Sequence, residues 1–345
     1  MTFGDLFFRM DDIKDIKALL AVPQKIIITT HQRPDGDAIG SSLGLFHFLK
    51  KKNQDVRFIS PTDYPDFLKW FPGNNEVIIF ENEKIKCQEL VESATIIFCL
   101  DFNKLYRLEE LGKIIDASSA PKILIDHHLD PDDFAVFQHW NVKASSTSEL
   151  VYELISKMDE LSLMDSVIAT CLYAGILTDT DRFRVPTTSP NVHRITADLL
   201  EAGVDHTDVY QKIYESFSEN RLRFLGYCLR EKLEVVKELK AGIITLEKND
   251  MNHFGIQLGD TESLVNYPLW IGDVIVSALI IQRPNEVKLS LRSKGDFSVE
   301  KICREHFSGG GHRNAAGGRS AMSVKETKEK LISILAREKS ALNPS

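Results

Sequence analysis

Five short apolar runs near the start of this 345-residue chain constrain its fold more than any other feature. They are rich in Ile, Leu, Val and Phe with little polar alternation, which is typical of parallel strands covered on both faces. The runs are KIIITT (25–30), DVRFIS (55–60), EVIIF (76–80), TIIFCL (95–100) and KILI (122–125). Because several segments between them fit amphipathic helices, the pattern predicts an α/β domain with a doubly wound parallel sheet.

A second, smaller α+β domain is predicted after a helical stretch rich in charge. Its predicted strands are 235–247, 273–282 and 287–293. The segment VKETKEKLISILAREK (324–339) fits an amphipathic surface helix. The predicted organisation is a larger first domain over 1–190, connecting helices over 191–234 and the smaller domain over 235–345.

Composition and charge exclude several classes of protein. Hydrophobic residues make up 43% of the chain and charged residues 27%, which is ordinary globular usage and argues against disorder. The net charge of −8 disfavours a protein that coats long duplex nucleic acid. A small anionic substrate stays open, because local cations or metals can outweigh the global sign.

The cysteines and the apolar runs predict the compartment. The five cysteines are scattered without a CxxC pair, which is typical of free thiols in a reducing environment. No run approaches the ~18–20 apolar residues of a membrane helix, and the N-terminus lacks a basic, apolar secretory signal. We therefore expect a cytoplasmic protein with no membrane partner. The sequence leaves open whether it is a monomer or a homodimer.

Acidic and histidine side chains follow four of the apolar segments. They are His31, Asp35, Asp37, Asp101, Asp126, His127, His128 and Asp179. In open α/β sheets, ligands bind in the crevice beyond the carboxyl ends of the strands. We therefore expect these side chains to converge there from distant parts of the chain.

The donor types in this set indicate a metal site. Imidazole nitrogens with carboxylate oxygens suit Mn²⁺, Zn²⁺ or Fe²⁺ better than Ca²⁺, and clustered aspartates repel one another without cations. Six candidate ligands are enough for two ions about 3.5–4 Å apart with one bridging aspartate. They are His31, Asp35, Asp37, Asp101, His127 and Asp179. Such a pair of ions can activate water for an in-line displacement at phosphorus.

Five motifs in register resemble a known family. His-x-x-x-Asp-x-Asp (31–37), Asp101, Asp126-His127-His128 and Asp179 are similar to the four motifs of the DHH phosphoesterase superfamily. GGGHRNAAG (309–317) resembles the signature of the DHH-associated domain. Together they resemble the NrnA-type nanoRNases, which also dephosphorylate 3′-phosphoadenosine 5′-phosphate (pAp). The resemblance spans nearly the whole chain.

The resemblance implies two Mn²⁺ ions, with Mg²⁺ or another divalent ion as an alternative. The first ion would be held by His31, Asp35 and Asp101. The second ion would be held by Asp37, Asp101, His127 and Asp179, so that Asp101 bridges the two.

The resemblance also assigns roles to two neighbouring residues and exposes one departure. His128 would reach the scissile phosphate or the leaving oxygen, and Asp126 would orient the neighbouring histidines. The family's fourth motif commonly reads Thr-Asp-Thr-Gly-x-Phe, whereas this chain reads TDTDRF (178–183). Asp181 therefore replaces a glycine and brings a further charge next to a metal ligand.

A glycine-rich run in the smaller domain predicts a substrate-binding site. Glycines let backbone amides approach an anion closely, and nearby cations add donors. Residues 283–319 hold eight basic side chains against four acids. Because arginine binds phosphate in a bidentate manner, Arg292 is the favoured cation. The predicted substrate-binding residues are Arg292, Gly310, Gly311 and His312.

Two further features are predicted to be structural. Ser146-x-x-Glu149 fits a capping box at a helix start. The tryptophans at 70, 140 and 270 are expected to pack rather than to stack on bases.

The predicted function is a Mn²⁺-dependent phosphoesterase that hydrolyses very short RNA oligonucleotides to mononucleotides and removes phosphate from pAp. A phosphodiesterase for cyclic-di-AMP or pApA uses the same motifs and remains an alternative. Hydrolysis of polyphosphate or pyrophosphate fits less well, since the GGGH domain accompanies nucleotide substrates. A nucleotide-binding module without catalysis is the alternative from another class, and the complete ligand set speaks against it.

Overall fold

The computed structural model describes residues 13–257 and 259–338, and the chain divides into two compact units. The units are Met1–Ser216 and Phe217–Ser345. The division falls inside the segment 191–234 that was predicted to connect the domains.

The first unit contains a six-stranded sheet in which every neighbouring pair is parallel. Its strands are β1 (Lys25–Thr29), β2 (Asp55–Ser60), β3 (Val77–Ile79), β4 (Ile96–Leu100), β5 (Lys122–Asp126) and β6 (Phe137–Trp140), in the spatial order β3-β2-β1-β4-β5-β6. The five predicted strands are confirmed. β6 was not predicted, because its sequence FQHW is short and lacks the apolar run of the others.

Helices cover both faces of this sheet. The helices of the unit are α1 (Ile13–Leu19), α2 (Gly36–Lys51), α3 (Lys84–Glu92), α4 (Glu110–Ala117), α5 (Thr147–Lys157), α6 (Ser166–Asp179), α7 (Pro190–Glu201) and α8 (His206–Tyr214). Along β1, Ile26 and Ile28 join one core with α2, α5 and α6, and Ile27 joins a second core with α3 and α4. The predicted doubly wound α/β architecture is therefore confirmed.

Close packing of α2 against α6 sets the backbone around the carboxyl ends of the strands. A Cβ atom placed on Gly40 would lie 2.5 Å from the carbonyl oxygen of Cys171. Only a glycine permits this approach of two helix backbones. The consequence is that the start of α2 and the end of α6 lie beside one another, next to the strand ends.

The second unit contains a six-stranded mixed sheet in the order β11-β12-β10-β9-β8-β7. Its strands are β7 (Leu233–Val236), β8 (Ala241–Leu246), β9 (Val276–Gln282), β10 (Val287–Ser293), β11 (Gly310–His312) and β12 (Ala315–Ser320). The pair β8 and β9 is parallel, and the others are antiparallel. The predicted strand over 235–247 is in fact the hairpin of β7 and β8. Neither β11 nor β12 was predicted as a strand, because glycines and alanines dominate both.

Helices of the second unit pack on both faces of its sheet. They are α9 (Glu219–Tyr227), α10 (Lys248–His253), α11 (Val299–His306) and α12 (Val324–Arg337). Ile280 faces a core shared with α11 and α12, whereas Leu279 faces a core shared with α9. The predicted C-terminal helix and the α+β class are confirmed, although Lys339 of the predicted helix lies outside the described residues.

Within residues 13–257 and 259–338, no helix combines the length and the apolar character that crossing a bilayer requires.

Candidate metal centre

Three neighbouring strands of the first unit end at one place. β1, β4 and β5 are adjacent and parallel, so their carboxyl ends share an edge of the sheet. His31 follows β1, Asp101 directly follows β4, and Asp126 is the last residue of β5. The topology therefore brings together residues that are almost a hundred positions apart in the sequence, as the strand pattern predicted.

His31, Asp35 and Asp101 form the first ligand group. Each offers one ligand atom, and these atoms lie within 4.8 Å of one another. Nε2 of His31 is 3.5 Å from Oδ2 of Asp101. Nδ1 of His31 is 2.9 Å from the carbonyl oxygen of Gln32, an acceptor that places the ring proton on Nδ1. Nε2 is therefore the ring nitrogen that faces Asp101 and the one that would bind a metal ion.

Asp37, His127 and Asp179 form the second ligand group, again with ligand atoms within 4.8 Å of one another. Nε2 of His127 is 3.4 Å from Oδ2 of Asp179 and 3.6 Å from Oδ1 of Asp101. Asp101 thus lies between the two groups. The structure brings together all six side chains that the sequence analysis singled out as ligands.

The N-terminus of α5 holds the carboxylate of Asp37. The backbone N–H of Thr147 donates to Oδ2 at 2.6 Å, and that of Ser148 donates to Oδ1 at 2.9 Å. The hydroxyl of Thr147 donates to Oδ1 of Asp101 at 3.0 Å. A helix N-terminus stabilises negative charge through such amides.

The sequence analysis missed Thr147 and Ser148 as parts of the site. It did identify the start of their helix, since Ser146 accepts from the backbone N–H of Glu149 at 3.0 Å. The predicted capping box differs in one bond, because the Glu149 carboxylate accepts from the N–H of Ser145. The sequence signal nearest to them is the Ser146-x-x-Glu149 pattern, which marks the helix start at which their backbone amides lie.

Burial and mutual repulsion control the charges of the carboxylates. Burial, with the charges of Asp101 and Asp179, raises the pKa of Asp37 well above its usual range. Burial also raises the pKa of Asp179 to about 7. Burial opposes ionisation of Asp101, but hydrogen bonds from His127 and His31 hold its pKa well below the usual value.

The same hydrogen bonds act on the histidines. Burial would lower the pKa of both His31 and His127, yet Asp101 outweighs it, so the pKa of His31 is raised and that of His127 is raised well above its usual value. Carboxylates that resist ionisation together are the surroundings in which a divalent cation relieves the most repulsion. The mixed imidazole and carboxylate donors therefore fit a metal pair.

His128 and Asp126 form a pair beside the ligand groups. Nδ1 of His128 donates to Oδ1 of Asp126 at 2.7 Å, and Asp126 is fully buried. Among the described residues, no donor reaches Oδ2 of Asp126. Ligand atoms of Asp101, Asp126 and His128 also lie within 4.8 Å of one another. The bond to Asp126 fixes the orientation of the His128 ring.

The departure at Asp181 is accommodated by a left-handed turn and two cations. Asp181, Arg182 and Phe183 all have positive φ angles, of 45°, 65° and 63°. The Asp181 carboxylate pairs with Arg182 at 2.8 Å and accepts from Nε of Arg184 at 3.0 Å. The extra charge is therefore compensated within its own loop.

The predicted substrate residues lie on the sheet of the second unit. Arg292 of β10 and His312 of β11 are both register partners of Ala315 in β12. Register partners on neighbouring strands share a face of the sheet, so Arg292 and His312 lie on the same face. Because β12 lies between their strands, they are two strand spacings apart, and each spacing is about 4.7–4.9 Å. Gly310 and Gly311 belong to β11, which the sequence analysis did not predict as a strand.

Comparison with known proteins identifies the family of this chain. The chain matches the DHH family, N-terminal domain, over residues 25–176 and the DHHA1 domain over residues 241–341. It is 30% identical over 305 residues to the bifunctional oligoribonuclease and PAP phosphatase NrnA of Thermus thermophilus, covering 87% of this chain and 86% of that protein. It is 28% identical to the cyclic-di-AMP phosphodiesterase GdpP of Geobacillus thermodenitrificans, covering 92% of this chain and 48% of that protein.

Solved structures show the same fold. The crystal structure of an exopolyphosphatase-related protein from Bacteroides fragilis is 38% identical, with a TM-score of 0.92 over 99% of both chains. RecJ of Thermus thermophilus, solved in complex with Mn²⁺, is 13% identical with a TM-score of 0.50, covering 96% of this chain and 56% of RecJ. The chain belongs to the DHH family and is a phosphoesterase with a DHH domain followed by a DHHA1 domain.

Proposed function

We propose that this enzyme hydrolyses very short RNA oligonucleotides to mononucleotides and removes phosphate from pAp, using two divalent metal ions. The observation that carries the proposal is the pair of ligand groups that meet at Asp101. The likeness to a named oligoribonuclease and PAP phosphatase over most of both chains supports this choice of substrate.

The ligands divide between the two ions as the two groups suggest. His31, Asp35 and Asp101 would hold one ion. Asp37, Asp101, His127 and Asp179 would hold the other. When bound, such ions supply a Lewis acid for the phosphoryl oxygens and lower the pKa of a water molecule. Mn²⁺ is the ion we propose, since it accepts both imidazole and carboxylate donors.

The chain's own groups then orient the substrate and move the proton. Asp126 accepts the Nδ1–H of His128, so Nε2 is the atom of His128 that would contact the scissile phosphate. In the doubly protonated ring, Nε2–H would give its proton to the leaving oxygen and leave a neutral imidazole. The N-terminus of α5 keeps Asp37 in place through the amides of Thr147 and Ser148.

Arg292, Gly310, Gly311 and His312 are the residues we propose for substrate binding. Arg292 and His312 lie on one face of the second sheet, where a guanidinium and an imidazole suit an anionic phosphate. The glycines leave the backbone of β11 uncovered by side chains. An anion can therefore approach the backbone amides there.

The proposed location is the cytoplasm. All five cysteines are free and buried, which fits a reducing compartment. The proposed partners are small nucleotides rather than long duplexes, in keeping with the net charge of −8.

A second candidate is hydrolysis of cyclic-di-AMP or pApA. The observation in its favour is the likeness to GdpP, which extends over 92% of this chain. The match spans only 48% of GdpP, so it supports a shared catalytic chemistry more than a shared role.

The test is hydrolysis of a substrate panel with added Mn²⁺ and with chelator. The panel holds a dinucleotide, a short RNA of about 5 nucleotides, a longer RNA of about 24 nucleotides, pAp, cyclic-di-AMP and pyrophosphate. Mn²⁺-dependent release of mononucleotides from the short RNAs, with pAp dephosphorylated, supports the proposal. Activity confined to cyclic-di-AMP would establish the second candidate instead, and silence on every substrate would leave a binding module.

A further inference from the structure

Trp140 lies beside the candidate metal centre. It is the last residue of β6, the edge strand of the first sheet, and its register partner is Asp126. Its indole Nε1–H donates to the main-chain carbonyl of His128 at 2.7 Å. The side chain is nevertheless 40% exposed, although the sequence analysis expected it to pack. The indole therefore binds the protein by its polar edge while part of its surface faces solvent.

The bond from Trp140 belongs to a set that fixes the segment 126–129. Nδ2 of Asn103 donates to the carbonyl oxygen of Leu129 at 2.6 Å, and Asp126 accepts from the ring of His128. The backbone carbonyls of His128 and Leu129 are thus both held by side-chain donors. The consequence is that the position of the His128 ring depends on the indole N–H as well as on Asp126.

Two further exposed apolar residues lie near Trp140, one next to its hydrogen-bond partner and one close to it in the chain. Leu129 is 40% exposed and Val142 is 38% exposed. Leu129 follows the residue that Trp140 binds, and Val142 lies two residues beyond Trp140. We call Leu129, Trp140 and Val142 the Trp140 patch. Exposed apolar patches rimmed by polar residues mark ligand sites, and a tryptophan whose N–H is bonded offers its ring face to an apolar partner.

We propose that Trp140 positions His128 through its N–H and that its exposed face stacks on a base of the bound nucleotide. This inference rests on the proposed function, because it takes the scissile phosphate to lie at His128. The base of that nucleotide then lies within reach of the patch. A nucleobase is the part of such a substrate that an aromatic ring binds well, and the contact tolerates any base sequence.

Two variants separate the two roles. Trp140→Phe keeps an aromatic face but removes the N–H, so kcat should fall by about tenfold while KM changes little. Trp140→Leu removes both, so kcat should fall similarly and KM for pAp should also rise by ~5- to ~100-fold. Trp270→Phe is the matched control, since Trp270 is 60% exposed and lies in the second unit. It should leave both constants unchanged.

Fluorescence tests the stacking without turnover. In a Trp70→Phe/Trp270→Phe double variant, Trp140 is the one remaining tryptophan of the chain. Titrating AMP into the Mn²⁺-loaded variant should quench its emission, whereas ribose 5-phosphate, which lacks the base, should leave it unchanged. Equal effects of the two compounds would overturn the stacking role.

The kinetic outcomes are equally decisive. An unchanged KM in Trp140→Leu overturns stacking, and an unchanged kcat in Trp140→Phe overturns the positioning of His128. If Trp140→Leu fails to fold by circular dichroism, Trp140→Phe and the fluorescence titration decide the question. If the wild-type enzyme hydrolyses neither short RNA nor pAp, the proposed function fails, and quenching by AMP still reports whether Trp140 contacts a base.

Discussion

Asp101 combines a strained backbone with a carboxylate that several histidines share. Its φ angle of 63° is left-handed, a conformation that costs about 1–3 kcal/mol for a residue other than glycine. Its oxygens lie 3.5 Å from His31, 3.6 Å from His127 and 3.7 Å from His128. The strain directs the side chain from the end of β4 to the point where the two ligand groups meet.

Arg292 is the residue for which we expect a pure binding effect. Arg292→Ala removes a guanidinium that the proposal places on the substrate rather than on the reacting atoms. KM for pAp should therefore rise by ~10- to ~100-fold with kcat nearly unchanged, as for loss of a hydrogen bond to a charged group. Steady-state kinetics check this.

The matched control for that experiment is Arg304→Ala. Arg304 is exposed on α11 and pairs with Glu300 at 3.1 Å. The Arg304→Ala variant should leave kcat and KM for pAp unchanged. A fall in kcat with constant KM for Arg292→Ala would contradict a role in binding.

The candidate site could be predicted from the sequence at its ligands but not at the residues that hold them. His31, Asp101 and His127 each follow an apolar strand, so their convergence follows from parallel topology. Thr147 and Ser148 act through backbone amides, and any residue type can supply an amide. Trp140 lies on a strand too short to be recognised, so its place next to Asp126 became visible only in the register of β5 and β6.

Among the structural elements, α2, α5 and α6 support the centre by packing unusually close. A Cβ atom on Gly175 of α6 would overlap the hydroxyl of Ser148 and lie 2.8 Å from Oδ1 of Asp37. The missing side chain at Gly175 is therefore what lets α6 lie against the carboxylate. The sequence predicted a helix start at Ser146 but neither α6 nor this contact, because a glycine within an apolar run carries no sign of its neighbours.

Gly175→Ala should damage both stability and metal binding. The added methyl group has to displace Ser148 or Asp37, which costs about 1–3 kcal/mol of unfolding free energy, as overpacking does. Displacement of Asp37 should also weaken Mn²⁺ binding by about tenfold. Chemical denaturation and calorimetric titration measure the two effects.

Gly226→Ala is the control for the same substitution. Gly226 lies in α9, and a Cβ atom there meets nothing within 4 Å. It should stabilise the helix by up to ~1 kcal/mol and leave Mn²⁺ affinity unchanged. If Gly175→Ala and Gly226→Ala change the unfolding free energy and the Mn²⁺ affinity equally, Gly175 is not needed to make room for Asp37.

For the whole molecule, the buried charges link stability to pH. Burial raises the pKa of Asp179 to about 7, from an ordinary value of 3.8, so without metal the folded state keeps a proton that the unfolded chain has released. A folded state that binds more protons loses stability as pH rises, here between about 4 and 7. The pKa values of His31 and His127 are raised above 6.5, so the stability that their protonated rings add to the folded state is lost at higher pH. Because the pKa of Asp101 is lowered, its carboxylate adds to the free energy of unfolding, and this addition is fully present above about pH 4.

The metal-free protein should therefore be less stable at about pH 8 than at about pH 5.5. We expect its Tm to fall by about 5 °C over that range. Mn²⁺ should restore the Tm at the higher pH and release protons on binding. Differential scanning calorimetry with and without chelator checks this, and Asp179→Asn should flatten the dependence. A Tm that rises with pH in the metal-free protein would contradict the assignment.

The number of Mn²⁺ ions bound per chain tests the central claim most directly. Isothermal titration of the metal-free enzyme, with electron paramagnetic resonance of the loaded form, should show two coupled ions in the wild type. Asp101→Asn should abolish the coupling and lower kcat by about 10³-fold, because one carboxylate serves both ligand groups. A single bound ion in the wild type, or two coupled ions in Asp101→Asn with full activity, would contradict a metal pair bridged by Asp101.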